Sequence, residues 1–273
     1  MYYNIVLGSS GLVGKAFYEY LGKNKKYIFF NRTGSKFRKL DLEREISKFP
    51  FKEVDKCFFF ASPRIKKKNF KKKNFKREYI WLKKIIRNIK IKKIIYLSSS
   101  SVYYQKKHII GSTKLNCEKL ILKNKKKFKN YQIWRPFNLI GNRYVNSDHF
   151  HNYLFKIMFL EKKKSHSFFG NSEDKRGYAH VDHFVRILHK YSNLSKNFVK
   201  NYGNKNLIKV SEIYNLFNKH YKKINDLDFK IFFKSKKANE NSVKLKKNCV
   251  YFNKKSLVLL SKYLRNSTYE KKM

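Results

Sequence analysis

The sequence predicts an α/β protein built on a doubly wound parallel sheet. Three observations carry that expectation. A glycine turn, Gly8-Ser9-Ser10-Gly11-Leu12-Val13-Gly14, stands between an apolar stretch of strand length and a segment with helical patterning. Further apolar runs of strand length recur up to Gly141, with helix-patterned segments between them. Hydrophobic residues make up 42% of the 273-residue chain and aromatics 17%, enough for a sizeable core. Strands that alternate with helices pair in parallel, because each parallel neighbour needs a crossover connection.

Taken in order, Tyr2-Tyr3-Asn4-Ile5-Val6-Leu7 reads as the first strand, and the segment from Lys15 to Leu21 as a helix ending at Gly22. Strand, glycine turn and helix in that order form a dinucleotide site, so the fold is expected to be Rossmann-like. Gly8 can take backbone angles that a side chain forbids. Gly11 lets the backbone approach a pyrophosphate, and Gly14 lets the helix pack close to the strand. The helix N-terminus presents N–H groups and a partial positive charge to the phosphates. The spacing is G-x-x-G-x-x-G, one residue longer at its start than the G-x-G-x-x-G of many dehydrogenases. Gly8, Ser10, Gly11, Leu12, Val13 and Gly14 are therefore cofactor-binding candidates.

Tyr27–Asn31 reads as the second strand, with Arg32 directly after it. The residue at that strand end faces the adenosine ribose; an acid there binds the 2′-hydroxyl and an arginine accommodates a 2′-phosphate. Asn31 and Arg32 thus favour NADP over NAD, against the plainer reading of one more surface arginine in a basic chain. Phe37–Leu40 is a short third strand, and Lys56–Ala61 a buried fourth, ended by Ser62-Pro63. A long helix is expected over 68–88. Lys93–Ser98 is a fifth strand, Thr113–Lys123 a helix, and Tyr131–Arg135 a sixth strand stopped by Pro136. Beyond Gly141 the pattern loosens. Helices are expected over 149–160 and 182–191, a strand over 165–169, a helix capped by Ser211, and a last apolar segment over 256–264. The domain division expected is an NAD(P)-binding domain over 1–148 and a smaller substrate region over 149–273, with about 178–203 packing back on the first sheet.

The formal net charge is +48. A field of that sign attracts polyanions, nucleic acid among them. The excess is lysine spread along the chain beside abundant Asn, Ile, Phe and Tyr, all favoured by A/T-rich codons, so the bias needs no partner to explain it. The densest run, Lys66–Lys76, reads as the solvated face of the long helix. No apolar run is long enough to span a membrane, and no basic-then-apolar leader opens the chain. Cys57, Cys117 and Cys249 are odd in number and far apart, which fits a reducing cytoplasm and offers no metal spacing. The histidines His180, His183 and His189 lack an acidic cluster and are read as no metal site.

Several stretches, in order, resemble the extended short-chain dehydrogenase/reductase family, specifically its NAD-dependent epimerase/dehydratase group acting on nucleotide sugars. They are the Gly8–Gly14 turn; Asp41-Leu42, like the family's pair beside the adenine; and Phe60-Ala61-Ser62, where its fourth strand meets the cofactor. Leu97-Ser98-Ser99-Ser100-Ser101-Val102-Tyr103 looks like the strand with the catalytic serine, and Gly111-Ser112-Thr113-Lys114 followed by Glu118 like the helix with the catalytic lysine. Arg135-Pro136-Phe137-Asn138-Leu139-Ile140-Gly141 and Arg176-Gly177-Tyr178-Ala179-His180-Val181-Asp182 look like two later motifs. The resemblance spans about residues 2–220. It implies Ser99 and Lys114 as catalytic residues, Lys114 and Pro136 also at the cofactor, and Asn138 and Arg176 on the substrate, where an arginine fork suits phosphate. The plainer readings are Ser99 capping nearby backbone and Lys114 solvated and paired with Glu118 at i,i+4.

One departure stands out. The family places a tyrosine four residues before the lysine, and here that position is Ile110. The phenol moves a proton while hydride passes to or from the nicotinamide, and isoleucine has none to give. Losing a general acid forfeits about 10² to 10⁴ in rate. Tyr103 and Tyr104 are the phenols nearby in sequence. The leading expectation is an NAD(P)-dependent epimerase, dehydratase or reductase of a nucleotide sugar. An NAD(P)-binding sensor or scaffold without catalysis is the second reading, and a non-specific nucleic-acid binder the third. A cytoplasmic location, a small-molecule partner and, compatibly, a homodimer go with the first.

Overall fold

The computed structural model describes residues 3–22, 24–34, 36–44, 49–63, 72–104, 109–142, 149–168, 170–233 and 249–269. In chain order the elements begin β1 (Asn4–Leu7), α1 (Leu12–Leu21), β2 (Tyr27–Asn31), β3 (Arg38–Lys39), β4 (Glu53–Phe59), α2 (Lys72–Asn88) and β5 (Lys90–Leu97). A 3₁₀ turn at Ser100–Tyr104 leads to α3 (Ile109–Lys123), β6 (Asn130–Pro136) and β7 (Leu139–Ile140). Then come α4 (Phe150–Phe155), β8 (Ser165–Phe168), β9 (Lys175–Gly177), β10 (Ala179–His180), α5 (Val181–Ser192) and β11 (Phe198–Asn204). The chain closes with β12 (Leu207–Lys209), α6 (Val210–Asn225), β13 (Lys230–Phe233), β14 (Cys249–Phe252) and α7 (Ser256–Tyr269).

Eight strands share one sheet, in the order β14-β11-β6-β5-β4-β1-β2-β3. From β3 to β6 every neighbour pairs in parallel, with Val6 opposite both Phe29 and Phe58, and Ile95 opposite Gln132. The crossover at β1, between β4 and β2, is the reversal of strand order on which a doubly wound sheet turns. The α/β class and the parallel sheet expected from the sequence are thus what the chain adopts.

The chain divides into two compact units, Met1–Pro136 with Phe184–Asn201 and Phe137–His183 with Tyr202–Met273. In the first, alternate residues of each strand face opposite layers. Ile5, Leu7, Cys57, Phe59, Ile94 and Tyr96 join Leu82, Ile85, Cys117 and Ile121 of α2 and α3 in one buried cluster. On the other face Phe17 of α1 packs against Phe29, Phe58 and Phe60, and Trp134 meets Phe184 and Tyr191 of α5 edge-on.

The second unit is built from short pairs: β7 with β10 and β8 with β13 in parallel, and β9 with β12 antiparallel. Phe155, Phe159, Tyr221, Phe217 and Tyr263 form its aromatic centre. Among the described residues no helix is long and apolar enough to cross a membrane.

Several element boundaries differ from the sequence reading, each for a local reason. Helix α3 begins at Ile109 rather than Thr113, and the Thr113 hydroxyl donates back to the Ile109 carbonyl. Ser211 does not cap α6; the helix starts at Val210, and the Glu212 carboxylate accepts the Lys209 N–H at 2.6 Å. The helix expected over 149–160 is α4 followed by a π turn at Lys156–Leu160. The expected third strand shrinks to two residues, pairing only with Phe30 and Asn31. Among the described residues no strand pairs with the outer edge of β2 along Tyr27–Phe29, which lies beside a groove lined by Tyr18, Lys36, Phe37 and Arg38. The start of the helix expected at 68, Phe169, and the Tyr104 side chain lie outside the described residues.

Candidate functional site

The glycine turn sits at the C-terminal end of β1, where a doubly wound sheet opens to ligands. Gly8 has φ +91°, and a Cβ there would lie 2.5 Å from the Ala61 nitrogen. A Cβ on Gly14 would lie 2.4 Å from the Gly8 carbonyl oxygen and 2.6 Å from the Ser9 Cα. The Ser9 hydroxyl donates to the Val6 carbonyl at 3.1 Å, and the N–H groups of Gly8 and Ser9 both donate to the Phe30 carbonyl. The turn is therefore fixed from three sides: β1, β2 and the end of β4. Among the described residues a Cβ at Gly11 would meet only the Gly8 oxygen, at 3.4 Å. Helix α1 begins from an extended Gly11 with no side-chain cap and no acid in its first turn. Its first N–H groups, those of Leu12 and Val13 among them, have no partner within the helix and meet no local negative charge. Ser10 is half-buried beside them.

At the end of β2, Asn31 is buried and its carboxamide oxygen accepts the Gly34 N–H at 2.6 Å, closing a turn. Arg32 is exposed. Asp41 accepts the Glu43 N–H through its carboxylate, while Leu42 is buried in the core cluster. Phe60 and Ala61 are buried at the end of β4, and Ser62 stands exposed after them.

The serine strand and the lysine helix meet through two separate polar clusters, one around Glu78 and one around Glu118. Lys114 is buried, and its Nζ donates to Glu78 Oε1 at 2.7 Å and to the Leu97 carbonyl at 2.8 Å. Glu78, in α2, also accepts from the Tyr96 hydroxyl at 2.7 Å and the Ser62 hydroxyl at 2.8 Å. Burial and the Glu78 charge push the Tyr96 phenol well above its ordinary range, so it stays a donor. Lys114 is thus not the solvated partner of Glu118. That carboxylate, equally buried, accepts the Ser98 hydroxyl and holds Arg135 through both guanidinium Nε, at 2.9 Å, and Nη2, at 2.5 Å. One turn apart on α3, the two residues face different partners because α2 supplies an acid and β6 supplies a base. Nothing in the sequence pattern singles out Glu78; it is one acid in a lysine-rich helix.

Ser99 is half-buried and accepts the Ser101 N–H at 3.1 Å, the capping role weighed against catalysis, which still leaves its own proton to donate. Ile110 is 38% exposed, on the first turn of α3. The Tyr103 hydroxyl donates to Asn201 Oδ1 at 2.8 Å and accepts from Arg135 Nη1 at 3.0 Å, with the guanidinium 5.2 Å from its ring. That phenol is tied to β6 and β11.

In the second unit, the strand pair β7·β10 brings the two later motifs side by side. The Asn138 amide donates to the Gly177 carbonyl at 3.3 Å, and Ala179 N–H donates to the Asn138 carbonyl. Arg176 is half-buried over the Phe150 ring, 5.2 Å from its centroid, and among the described residues its buried Nε has no hydrogen-bond partner. Asn204 and Ser256, which sequence reasoning missed, pin this segment: Asn204 donates to the Tyr178 carbonyl and Ser256 accepts the Tyr178 N–H. Pro136, half-buried, ends the first unit ahead of Asn138. Among the described residues no group of three or more His, Cys, Asp or Glu could hold a metal.

A family model, NAD dependent epimerase/dehydratase family, matches residues 4–202. No curated protein matches the chain in sequence. Among solved structures, MoeE5 in complex with UDP-glucose and NAD is 17% identical, with a TM-score of 0.72 over 99% of this chain and 100% of that one. UDP-glucuronic acid 4-epimerase from Bacillus cereus in complex with NAD is 21% identical, with a TM-score of 0.68 over 96% and 95%. UDP-N-acetylglucosamine 4-epimerase from Methanobrevibacter ruminantium M1, in complex with UDP-N-acetylmuramic acid, is 16% identical, with a TM-score of 0.71 over 100% of both chains.

Proposed function

The chain belongs to the NAD dependent epimerase/dehydratase family, and from that premise we propose that it binds NAD(P) on the Gly8–Gly14 turn and acts on a nucleotide sugar. The observation that carries the reading is the cradle itself: Gly8 and Gly14 are positions that a Cβ would fill, while among the described residues a Cβ on Gly11 would meet only the Gly8 oxygen, at the start of an uncapped helix. Those are the requirements of a pyrophosphate lying across a helix N-terminus.

In this reading the bound dinucleotide supplies the hydride acceptor or donor. Asp41 and Leu42 border the adenine, Phe60, Ala61, Ser62 and Pro136 line the remainder, and Asn31 shapes the ribose end through its turn with Gly34. Arg32, exposed beside that end, favours a 2′-phosphate and hence NADP. Lys114 holds the nicotinamide ribose, and Ser99 donates to a substrate oxygen. Asn138 and Arg176 hold the substrate; the Arg176 Nε, without a partner among the described residues, is a buried donor for an acceptor such as a diphosphate oxygen. The UDP-sugars bound by the similar structures point to the same ligand class.

A second reading is favoured by Ile110. With no phenol at that position, and with the Tyr103 hydroxyl held by Arg135 and Asn201, the chain keeps a dinucleotide site and loses the proton donor. It would then serve as an NAD(P)-binding sensor or scaffold. Titration calorimetry with NAD and NADP, followed by assay with UDP-glucose and UDP-glucuronic acid, separates the cases. Binding with turnover supports the enzyme, and binding without it the sensor. No binding of either dinucleotide overturns both.

A further inference from the structure

We propose that Glu78 is a positioning residue, fixing Lys114 so that one ammonium N–H remains for a hydroxyl of the bound dinucleotide. The inference rests on the reading of Lys114 given above and adds a residue to it.

An ammonium has three donors and no acceptor. Two of those of Lys114 are taken, by Glu78 Oε1 and the Leu97 carbonyl. Among the described residues the third has no partner. The Tyr96 ring lies 5.2 Å from the same nitrogen, which closes one side to water. A buried lysine needs a compensating charge, because an unpaired one is costly to hold in a dry interior. The nearest acid on its own helix cannot serve, since Glu118 is held by Ser98 and Arg135. Glu78 supplies that charge from α2, a separate element, and so fixes where the ammonium sits relative to the end of β5.

The same carboxylate reaches a second group at the candidate site. Its other oxygen accepts the Ser62 hydroxyl at 2.8 Å, at the end of β4. One acid thus aligns a lysine from α3 and a serine after β4, and Tyr96 from β5 holds the acid from below. If packing alone were at stake, an apolar pair of the same volume would fill the space at least as well. A carboxylate is required only if the lysine must stay charged and in place.

Four variants test this, each read by NAD titration calorimetry and by thermal unfolding. Glu78→Asp keeps the charge and withdraws the carboxylate by one methylene; it should remain folded and bind NAD about tenfold more weakly. Lys114→Met should show a comparable loss. Glu78→Gln strands a buried ammonium and is the variant most prone to unfold. The double variant Glu78→Gln/Lys114→Met removes both charges and restores the fold, and should bind NAD no worse than Lys114→Met alone. Wild-type affinity in Glu78→Asp would overturn the proposal, as would losses that multiply in the double variant. Gly11→Val is the control for the underlying reading. If it weakens NAD binding while Glu78→Asp does not, this inference alone fails. If it leaves NAD binding as in the wild type, the site reading fails and takes this inference with it.

Discussion

Gly14 and Gly8 approach so closely that a Cβ on the first would stand 2.4 Å from the carbonyl oxygen of the second. A Cβ on Gly11, between them, would be in ordinary contact range of that oxygen, at 3.4 Å. The two positions should therefore respond differently to the same substitution. Gly14→Val should fail to fold, because the clash is with backbone and cannot be relieved by a rotamer. Gly11→Val should fold with a wild-type circular dichroism spectrum and lose NAD and NADP binding in calorimetry. Retained binding in Gly11→Val would remove the pyrophosphate from this turn.

Arg32 is exposed after β2, inside the turn that Asn31 closes with Gly34. A guanidinium–phosphate contact contributes about 1.5–3 kcal/mol, roughly ten- to a hundred-fold in affinity. Arg32→Ala should lower the NADP/NAD affinity ratio by that order at low salt. The background of lysines favours any added phosphate, so the comparison is repeated at high salt, where diffuse attraction is screened. An unchanged ratio at both salts would leave Arg32 as a surface residue.

Proton supply is tested at Ile110 and Tyr103. Because the Tyr103 hydroxyl is engaged by Arg135 and Asn201, Tyr103→Phe should cost about 0.5–1.5 kcal/mol of stability and leave hydride transfer within twofold. Ile110→Tyr returns a phenol to the first turn of α3 and should raise NADH formation from a UDP-sugar in single turnover. A tenfold loss in Tyr103→Phe, about 1.4 kcal/mol in the barrier, would instead make that phenol the donor.

Stability against pH should form a plateau bounded by buried groups. On the acid side, burial first, then His149 and Arg176, hold His151 well below its ordinary 6.5. Burial likewise lowers His180, His189 and His220. These rings are neutral when folded and take a proton when unfolded, so stability is full above about 6.5 and falls as pH drops below it. On the alkaline side, burial pushes the Cys117 thiol from 9.0 up to about 12, and the Tyr27 and Tyr178 phenols from 10.0 up to about 12. There the unfolded chain loses protons first, so stability is lost as pH rises from about 9 towards 12. Urea midpoints across pH would show both slopes. His151→Phe, set against Tyr178 and Tyr263 that already pack edge-on to the ring, should flatten the acid slope. Unchanged midpoints from pH 5 to 8 in the wild type would contradict the assignment.

The part of the fold legible in the sequence was the part with long local signals. Most of the stretches Lys56–Ala61 and Lys93–Ser98 is apolar and largely buried, and lies in β4 (Glu53–Phe59) and β5 (Lys90–Leu97), which start three residues earlier than expected. Past Gly141 the strands are two to four residues long, apart from β11, and their pairings join segments distant in sequence, so no period could reveal them. The glycine turn was legible because its chemistry is contiguous. The partner of Lys114 was not, because the i,i+4 rule points to Glu118, while tertiary packing supplied Arg135 to that acid and Glu78 to the lysine. Asn204 and Ser256 were invisible for the same reason: each acts on a backbone group, Tyr178, far away in the chain.

The two-residue β3 leaves the first unit with a sheet that stops short on one side. A row of unused N–H and C=O groups along a strand is a template on which a second chain can lay its own strand, and so on without closure. Long sheets avoid this with bulges or a covering helix. Here the open length beside Tyr27, Ile28 and Phe29 is bordered by exposed Lys25, Lys36 and Arg38. Like charges on two such margins repel at the spacing that strand addition demands. Lys25, Lys36 and Arg38 thus place like charge along this margin, a repulsion that strand addition by a second copy would have to overcome and that counterions weaken.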